Sequence, residues 1–307
     1  MPKIAGLCCL AGLLAVARNS AAPSLVVSAE RLDDRIIVRV SDETFTCYRF
    51  GSGQKYPYLY PVNGPVSGLS LTTESSLPYP HHRSLFFGCD RVNGGNYWQE
   101  GNERGQIVSR GPRVLKDGPE IVQIEDQCDW RQPGEAPVIS DHRDIRIQVP
   151  ARELRIIDFE IELSALTDIG IERTNHSLFS ARVEPALSVK NGGTLTNAEG
   201  AVSEKGTYGV PSAWCDYSGK HCGEVEGIAI FDSPSNPWFP SRWFTRDYGF
   251  FSPTPMEWLG PEGYRLKQGQ KLRLKYRVVV HGGDAGQANV RGLFEQWRRA
   301  LSGSESR

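Results

Sequence analysis

The sequence predicts an all-β fold, a large antiparallel β-sandwich of two sheets with one C-terminal helix. Three observations predict it. Several segments alternate apolar and charged residues with period two, as strands do when one face covers a core and the other meets water. Turn residues are dense, with 32 Gly and 20 Pro among 307 residues. Only one segment repeats its apolar residues at helical spacing. No low-complexity tract or linker divides the chain, so residues 23–307 read as a single domain behind an N-terminal address.

The elements follow in chain order. Met1-Pro2-Lys3, an apolar run over 4–17 and small residues before Pro23 describe a secretory signal over 1–22. That run is too short for a membrane-spanning helix, which needs about 20 residues, and no later segment is apolar for long enough. The expectation is therefore an exported protein, periplasmic or extracellular. Cleavage would leave Cys47, Cys89, Cys128, Cys215 and Cys222, an odd set, so at least one thiol stays unpaired within a monomer. Cys215 and Cys222 enclose a short loop and are the disulfide candidates in an oxidising compartment.

Strands are predicted at 25–27, 36–40 and 44–50, the last after a polar Ser41-Asp42-Glu43 turn. Asp117-Gly118 between Val114-Leu115 and Ile121-Val122 reads as a hairpin. Ile145, Ile147 and Val149 alternate with polar residues, and after Pro150 so do Ile157, Phe159, Ile161 and Leu163. Leu272, Leu274, Tyr276, Val278 and Val280 alternate with Arg273, Lys275 and Arg277 near the end. Glu160 and Glu162 are expected to face that basic stripe as a charge ladder, outside any site. Asp284 and Gln287 form a capping box before Val290, Leu293, Phe294, Trp297 and Leu301, a helix expected against the sheet edge.

Composition excludes several classes. Hydrophobic residues at 39% and charged residues at 23% do not describe a disordered, coiled-coil or collagen-like chain. Lys and Arg total 35 against 36 acidic residues, so the basic field that nucleic acid requires is absent.

Three loop regions concentrate aromatic and polar residues without periodicity. The first runs from Tyr56-Pro57-Tyr58-Leu59-Tyr60 through Pro80-His81-His82-Arg83-Ser84-Leu85-Phe86-Phe87-Gly88 to Asn96-Tyr97-Trp98. Neighbours on an extended chain point oppositely, so His81 and His82 enter one cleft only if the chain bends. The second, Asn175-His176-Ser177-Leu178-Phe179-Ser180-Ala181-Arg182, places Ser180 and Arg182 on one strand face, Arg182 being a clamp for carboxylate or hydroxyl oxygens or else an ion-pair partner. The third contains Trp214, Asp216, Asp232, Asn236 and Trp238, with proline on both sides of Asn236. A stiff aromatic loop beside Asp, Asn and Arg suits a sugar, whose C–H faces stack on rings while its hydroxyls take hydrogen bonds.

These segments, together with Gly-Val-Pro-Ser-Ala-Trp-Cys-Asp-Tyr-Ser-Gly and Ile-Ala-Ile-Phe-Asp-Ser-Pro-Ser-Asn-Pro, resemble the bacterial family labelled "methane oxygenase PmoA". The resemblance implies an exported protein of sugar-degrading bacteria. By fold-level analogy it implies a galactose-mutarotase-like super-sandwich.

The resulting expectation is a protein acting on carbohydrate by proton transfer at a sugar carbon or glycosidic bond, as a hydrolase, lyase or epimerase. Such chemistry needs an acid and a base in one cleft. His82, with His81 and His176, supplies candidate imidazoles and Asp216 the complementary carboxylate. Arg83, Arg182, Trp214, Trp238, Asn236 and Asp232 are the candidate substrate-binding residues. The alternatives are a non-catalytic glycan-binding module and, from the family label, a metal-dependent oxygenase. Two histidines with a carboxylate could hold a metal, but hydrogen-bonded structural histidines are commoner, so no metal or cofactor is expected. No Gly-x-Ser-x-Gly elbow supports a serine hydrolase.

Overall fold

The protein is described by a computed structural model over residues 25–99, 101–175 and 177–304. The predicted signal over 1–22 and His176 lie outside the described residues.

Two antiparallel sheets face each other, as the alternation predicts. Sheet A runs in spatial order β1 (Val27–Arg31), β2 (Arg35–Val40), β3 (Glu43–Arg49), β4 (Tyr58–Val62), β5 (Leu85–Gly88), β12 (Leu178–Arg182), β17 (Phe250–Pro253) and β16 (Trp243–Arg246). Sheet B runs β13 (Thr194–Asn197), β14 (Trp214–His221), β15 (Glu224–Asp232), β19 (Lys271–Gly282), β10 (Leu154–Ala165), β9 (Ile139–Ala151), β8 (Ile121–Arg131) and β6 (Gln106–Ser109), with β7 (Arg113–Asp117) also on β8. A ribbon of β11 (Ile169–Ile171) and β18 (Tyr264–Leu266) flanks them, with a short helix α1 (Ser203–Thr207) and the C-terminal helix α2 (Val290–Ser304).

The register of β10 on β19 shows why this sequence chooses these faces. Ile157, Phe159, Ile161 and Leu163 oppose Val278, Tyr276, Leu274 and Leu272, all buried. The residues between them pair outward, Asp158 with Arg277 at 2.7 Å and Glu160 with Lys275 at 2.9 Å. Glu162 takes both Arg273 and Lys271. A one-residue slip would drive this whole charged row into the core, so the ladder specifies register more than it stabilises. Between the sheets, Phe179 of β12 stacks on Tyr276 at 4.7 Å, and Phe87 of β5 lies 6.3 Å from Phe159.

One part of the core is ionic. On β9 the inward row Ile139, Asp141, Arg143, Ile145 is buried throughout. Arg143 donates to both oxygens of Asp141 at 2.9 and 3.0 Å, and Trp130 Nε1 donates to Asp141 at 2.7 Å. Next to it the Tyr48 hydroxyl donates to Asp126 at 2.7 Å. Burial opposes the charge on Arg143, but Asp141 outweighs it and holds the guanidinium protonated.

Two expectations are corrected. Helix α2 does not sit at the sheet edge. Val290, Phe294 and Trp297 pack on Trp214, Ala229, Phe231 and Val279, the outer face of sheet B. Its capping box is present, Asp284 accepting from the Gln287 backbone and Gln287 from that of Asp284, but it closes a separate turn before Asn289, whose φ of 52° interrupts the helix. Nor do Cys215 and Cys222 pair. Cys215 is buried on the core face of β14, whereas Cys222 is exposed at the hairpin tip beyond that strand. An extended run of this length spans roughly 20 Å, and a disulfide needs Cα atoms within about 7 Å.

Candidate functional site

The candidate site lies on the outer face of sheet A. Residues directly opposed in an antiparallel ladder point to the same side. Arg49, Tyr58, Phe86 and Ser180 therefore share a face across β3, β4, β5 and β12, and Arg182, Phe250 and Arg246 continue it across β12, β17 and β16. Their chain neighbours Phe87 and Phe179 point into the core. The segment preceding β5 turns over this outer face, with His82 N donating to Tyr79 O and Ser84 N to Thr73 O.

That turn supplies the bend that the two histidines need to share one cleft. Alternation separates neighbours only on an extended chain, and here the chain is bent. The His81 and His82 rings lie 4.6 Å apart, edge to face. His82 is only 1% exposed, lying 5.0 Å from Tyr79, 5.6 Å and nearly parallel to Trp98, and 4.3 Å from Phe250. His81 is half-buried, also against Trp98. Trp98 can lie down over β5 because residue 88 is glycine. A Cβ there would meet Trp98 at 3.3 Å and the Tyr97 carbonyl at 3.2 Å.

From this stack the aromatic surface continues, Tyr79 to Tyr248 at 5.3 Å and Tyr248 to the Arg182 guanidinium at 4.3 Å. Arg182 is 3% exposed, and its Nε and Nη1 have no hydrogen-bond acceptor among the described residues. Burial lowers its proton affinity below the usual arginine value. Two residues on, Glu184 is half-buried, makes no side-chain hydrogen bond or ion pair among the described residues, and is raised above the ordinary glutamate pKa by burial, which Arg182 only partly opposes. On the β4 side Arg83 lies over the Tyr58 ring at 5.7 Å, and Tyr58 donates to Glu74 at 2.5 Å. Burial and that carboxylate push the Tyr58 hydroxyl up to about 12. The face thus carries a buried guanidinium with two unsatisfied donors, an aromatic wall, imidazoles and a carboxyl that keeps its proton longer than usual.

Of the residues singled out in the sequence, the structure gathers His81, His82, Arg83 and Arg182 here. It does not bring Asp216, Trp214, Asp232, Asn236 or Trp238 with them. Asp216 lies on the outer side of sheet B, accepting from His281 Nε2 at 2.7 Å, with the whole core between it and Arg182. Trp214 is core beneath α2. Asp232 and Asn236 shape their own loop. Asp232 accepts from Asn236 Nδ2 and Ser241 N, and Asn236 also exchanges bonds with the Lys275 backbone. Burial raises the Asp232 carboxyl to about 6. Trp238 packs edge-on against Tyr264. Glu184, Tyr79 and Tyr248 were missed. Glu184 was legible as the next same-face position after Ser180 and Arg182, but Tyr248 reaches the site only through strand pairing.

The Asp216–His281 pair has a measurable consequence. Burial pulls the His281 pKa down, but Asp216 overrides it, so the net shift is upward. A raised histidine pKa contributes stability that is fully present below about 6.5 and fades as pH rises through the folded value. The melting temperature is therefore expected to decline from about pH 6.5 upward, and Asp216→Asn to lower it while flattening that slope. An unchanged slope in Asp216→Asn would show that His281 does not control it.

Comparison with known proteins adds the following. A family described as of unknown function (DUF6807) matches residues 35–295. None of the curated proteins matches. Among solved structures, galactose 1-epimerase from Lactobacillus acidophilus NCFM is 12% identical with a TM-score of 0.42, covering 85% of this chain and 100% of that one. A glycoside hydrolase family 97 enzyme from Pseudoalteromonas sp. strain K8 is 12% identical with a TM-score of 0.34, covering 85% of this chain but 34% of that one. Likenesses this remote carry no chemistry across. The resemblance to the family labelled "methane oxygenase PmoA" is corrected by the family match. The oxygenase reading, drawn from that label, goes with it. Among the described residues no helix is long and apolar enough to cross a membrane, and no three His, Cys, Asp or Glu side chains are grouped to hold a metal.

Proposed function

This chain belongs to the family of unknown function DUF6807, and from the site it carries we propose that it acts on carbohydrate, by proton transfer at a sugar carbon or glycosidic bond on the outer face of sheet A. The observation that carries this reading is one face on which a buried guanidinium with unsatisfied donors, a continuous aromatic wall and a carboxyl of raised pKa lie side by side. Arg182 would fix ligand oxygens through its guanidinium, with Arg83 assisting from the Tyr58 side. Tyr79 and Tyr248 would stack on the C–H faces of the sugar. Glu184, on the strand that holds Arg182, would take or give the proton, and the His81–His82 pair would do the reverse. Glu184 thus takes the role expected of Asp216.

Glu184→Gln tests the reading, because it removes the proton but keeps the shape. With a sugar substrate identified by NMR detection of anomeric exchange or reducing-end release, the variant should lose about 10²-fold or more in kcat at unchanged melting temperature. Unaltered turnover would remove Glu184 from the mechanism. Sugar binding by the native protein with no product across the panel would decide for a non-catalytic glycan-binding module.

A further inference from the structure

The basic residues on this face are not equally provided for. Arg49 has Glu74 at 3.5 Å and Arg246 has Glu204 at 2.8 Å. Arg182 and Lys190 have no ion-pair partner among the described residues, yet both reach the Tyr248 ring, with Arg182 Cζ at 4.3 Å and Lys190 Nζ at 5.9 Å from its centroid. Two cations over one ring repel each other, and the ring's quadrupole offsets only part of that. Glu184 acts on Arg182 only through space and is itself raised by burial, so the guanidinium is held 3% exposed with no carboxylate in direct contact, which is costly because desolvation penalises an unpaired ion far more than a paired one. Sugar hydroxyls would supply dipoles to this place. An anion would supply the direct contact that Glu184 does not make, and a planar carboxylate or a sulfate matches the guanidinium fork.

We propose that the sugar is acidic, its anionic group held by Arg182 and Lys190 at the Tyr248 ring. This deepens the carbohydrate reading and rests on it. A uronate carboxylate and an ester sulfate both present this anionic group, and the recognising chemistry is the same. Lys190 is exposed on a short turn after β12, so it can adjust to the ligand, whereas Arg182 is fixed by packing.

Calorimetric or NMR titration tests this with matched pairs: D-galacturonate against D-galactose, digalacturonate against galactobiose, and D-galactose 6-sulfate as the sulfate arm. The expected result is that acidic members bind about tenfold or more tightly than neutral ones, with the advantage shrinking as salt rises. Tighter binding in the uronate arm or in the sulfate arm identifies which group supplies the charge. Arg182→Gln should abolish the preference at equal or higher melting temperature, and Lys190→Ala should reduce it several-fold. Neutral sugars binding as tightly as acidic ones, or a preference that survives Arg182→Gln, would overturn the acidic assignment and leave the carbohydrate reading standing. Failure of every sugar to bind would overturn both.

Discussion

Arg143→Ala is expected to destabilise the protein by about 3–5 kcal/mol, the cost of breaking a buried ion pair from one side. Arg143 and Asp141 are both fully buried, so truncating the arginine leaves a carboxylate in the core with only the Trp130 indole to satisfy it. Set against a typical stability of about 5–15 kcal/mol, that loss takes up much of the margin. The double variant Arg143→Met with Asp141→Leu should cost less than the sum of the two single changes, since it leaves no uncompensated charge. It will not recover fully, because the Trp130 N–H then lacks an acceptor, at about 1–3 kcal/mol. Urea denaturation of the native protein, Arg143→Met, Asp141→Leu and the double variant closes the cycle. Additive losses would show that the pair does not act as a unit.

His82→Ala is expected to lose turnover and about 3 kcal/mol of stability together, in the range of large-to-small core substitutions. The ring fills the gap between Tyr79, Trp98 and Phe250, so its removal loosens the aromatic wall that the proposed reading assigns to ligand stacking. Loss of activity in the alanine variant alone therefore cannot separate a proton-transfer role from a packing role. His82→Phe separates them, because it keeps a flat ring but cannot titrate. Most of the stability should return while turnover stays lost. If His82→Phe recovers turnover as well, the imidazole is a spacer and the acid–base work lies with His81 and Glu184.

How much was legible differs between scaffold and site. Period-two alternation in 157–163 and 272–280 marked β10 and β19 correctly, because side-chain direction on a strand is a local property. The same rule found that Ser180 and Arg182 share a face. On β9 it marked only 145–149 and not the upstream part through Asp141 and Arg143, because two inward charges look like a polar turn until each is seen to neutralise the other. Asp216 was misplaced for a related reason. A carboxylate in an aromatic segment looks alike whether it serves a cleft or is paired with His281 far along the chain. The bend that joins His81 to His82 depends on packing over β5, which no local pattern reports.

The sequence by itself determined the two-sheet sandwich, the faces of its regular strands and the terminal helix, since these follow from hydrophobic periodicity within short windows. Only the tertiary structure decided which distant residues lie together on one face. Arg182, Tyr248, Glu184 and His82 become neighbours through the pairing of β5, β12 and β17, contacts between distant segments whose geometry the pairing register sets and local spacing does not.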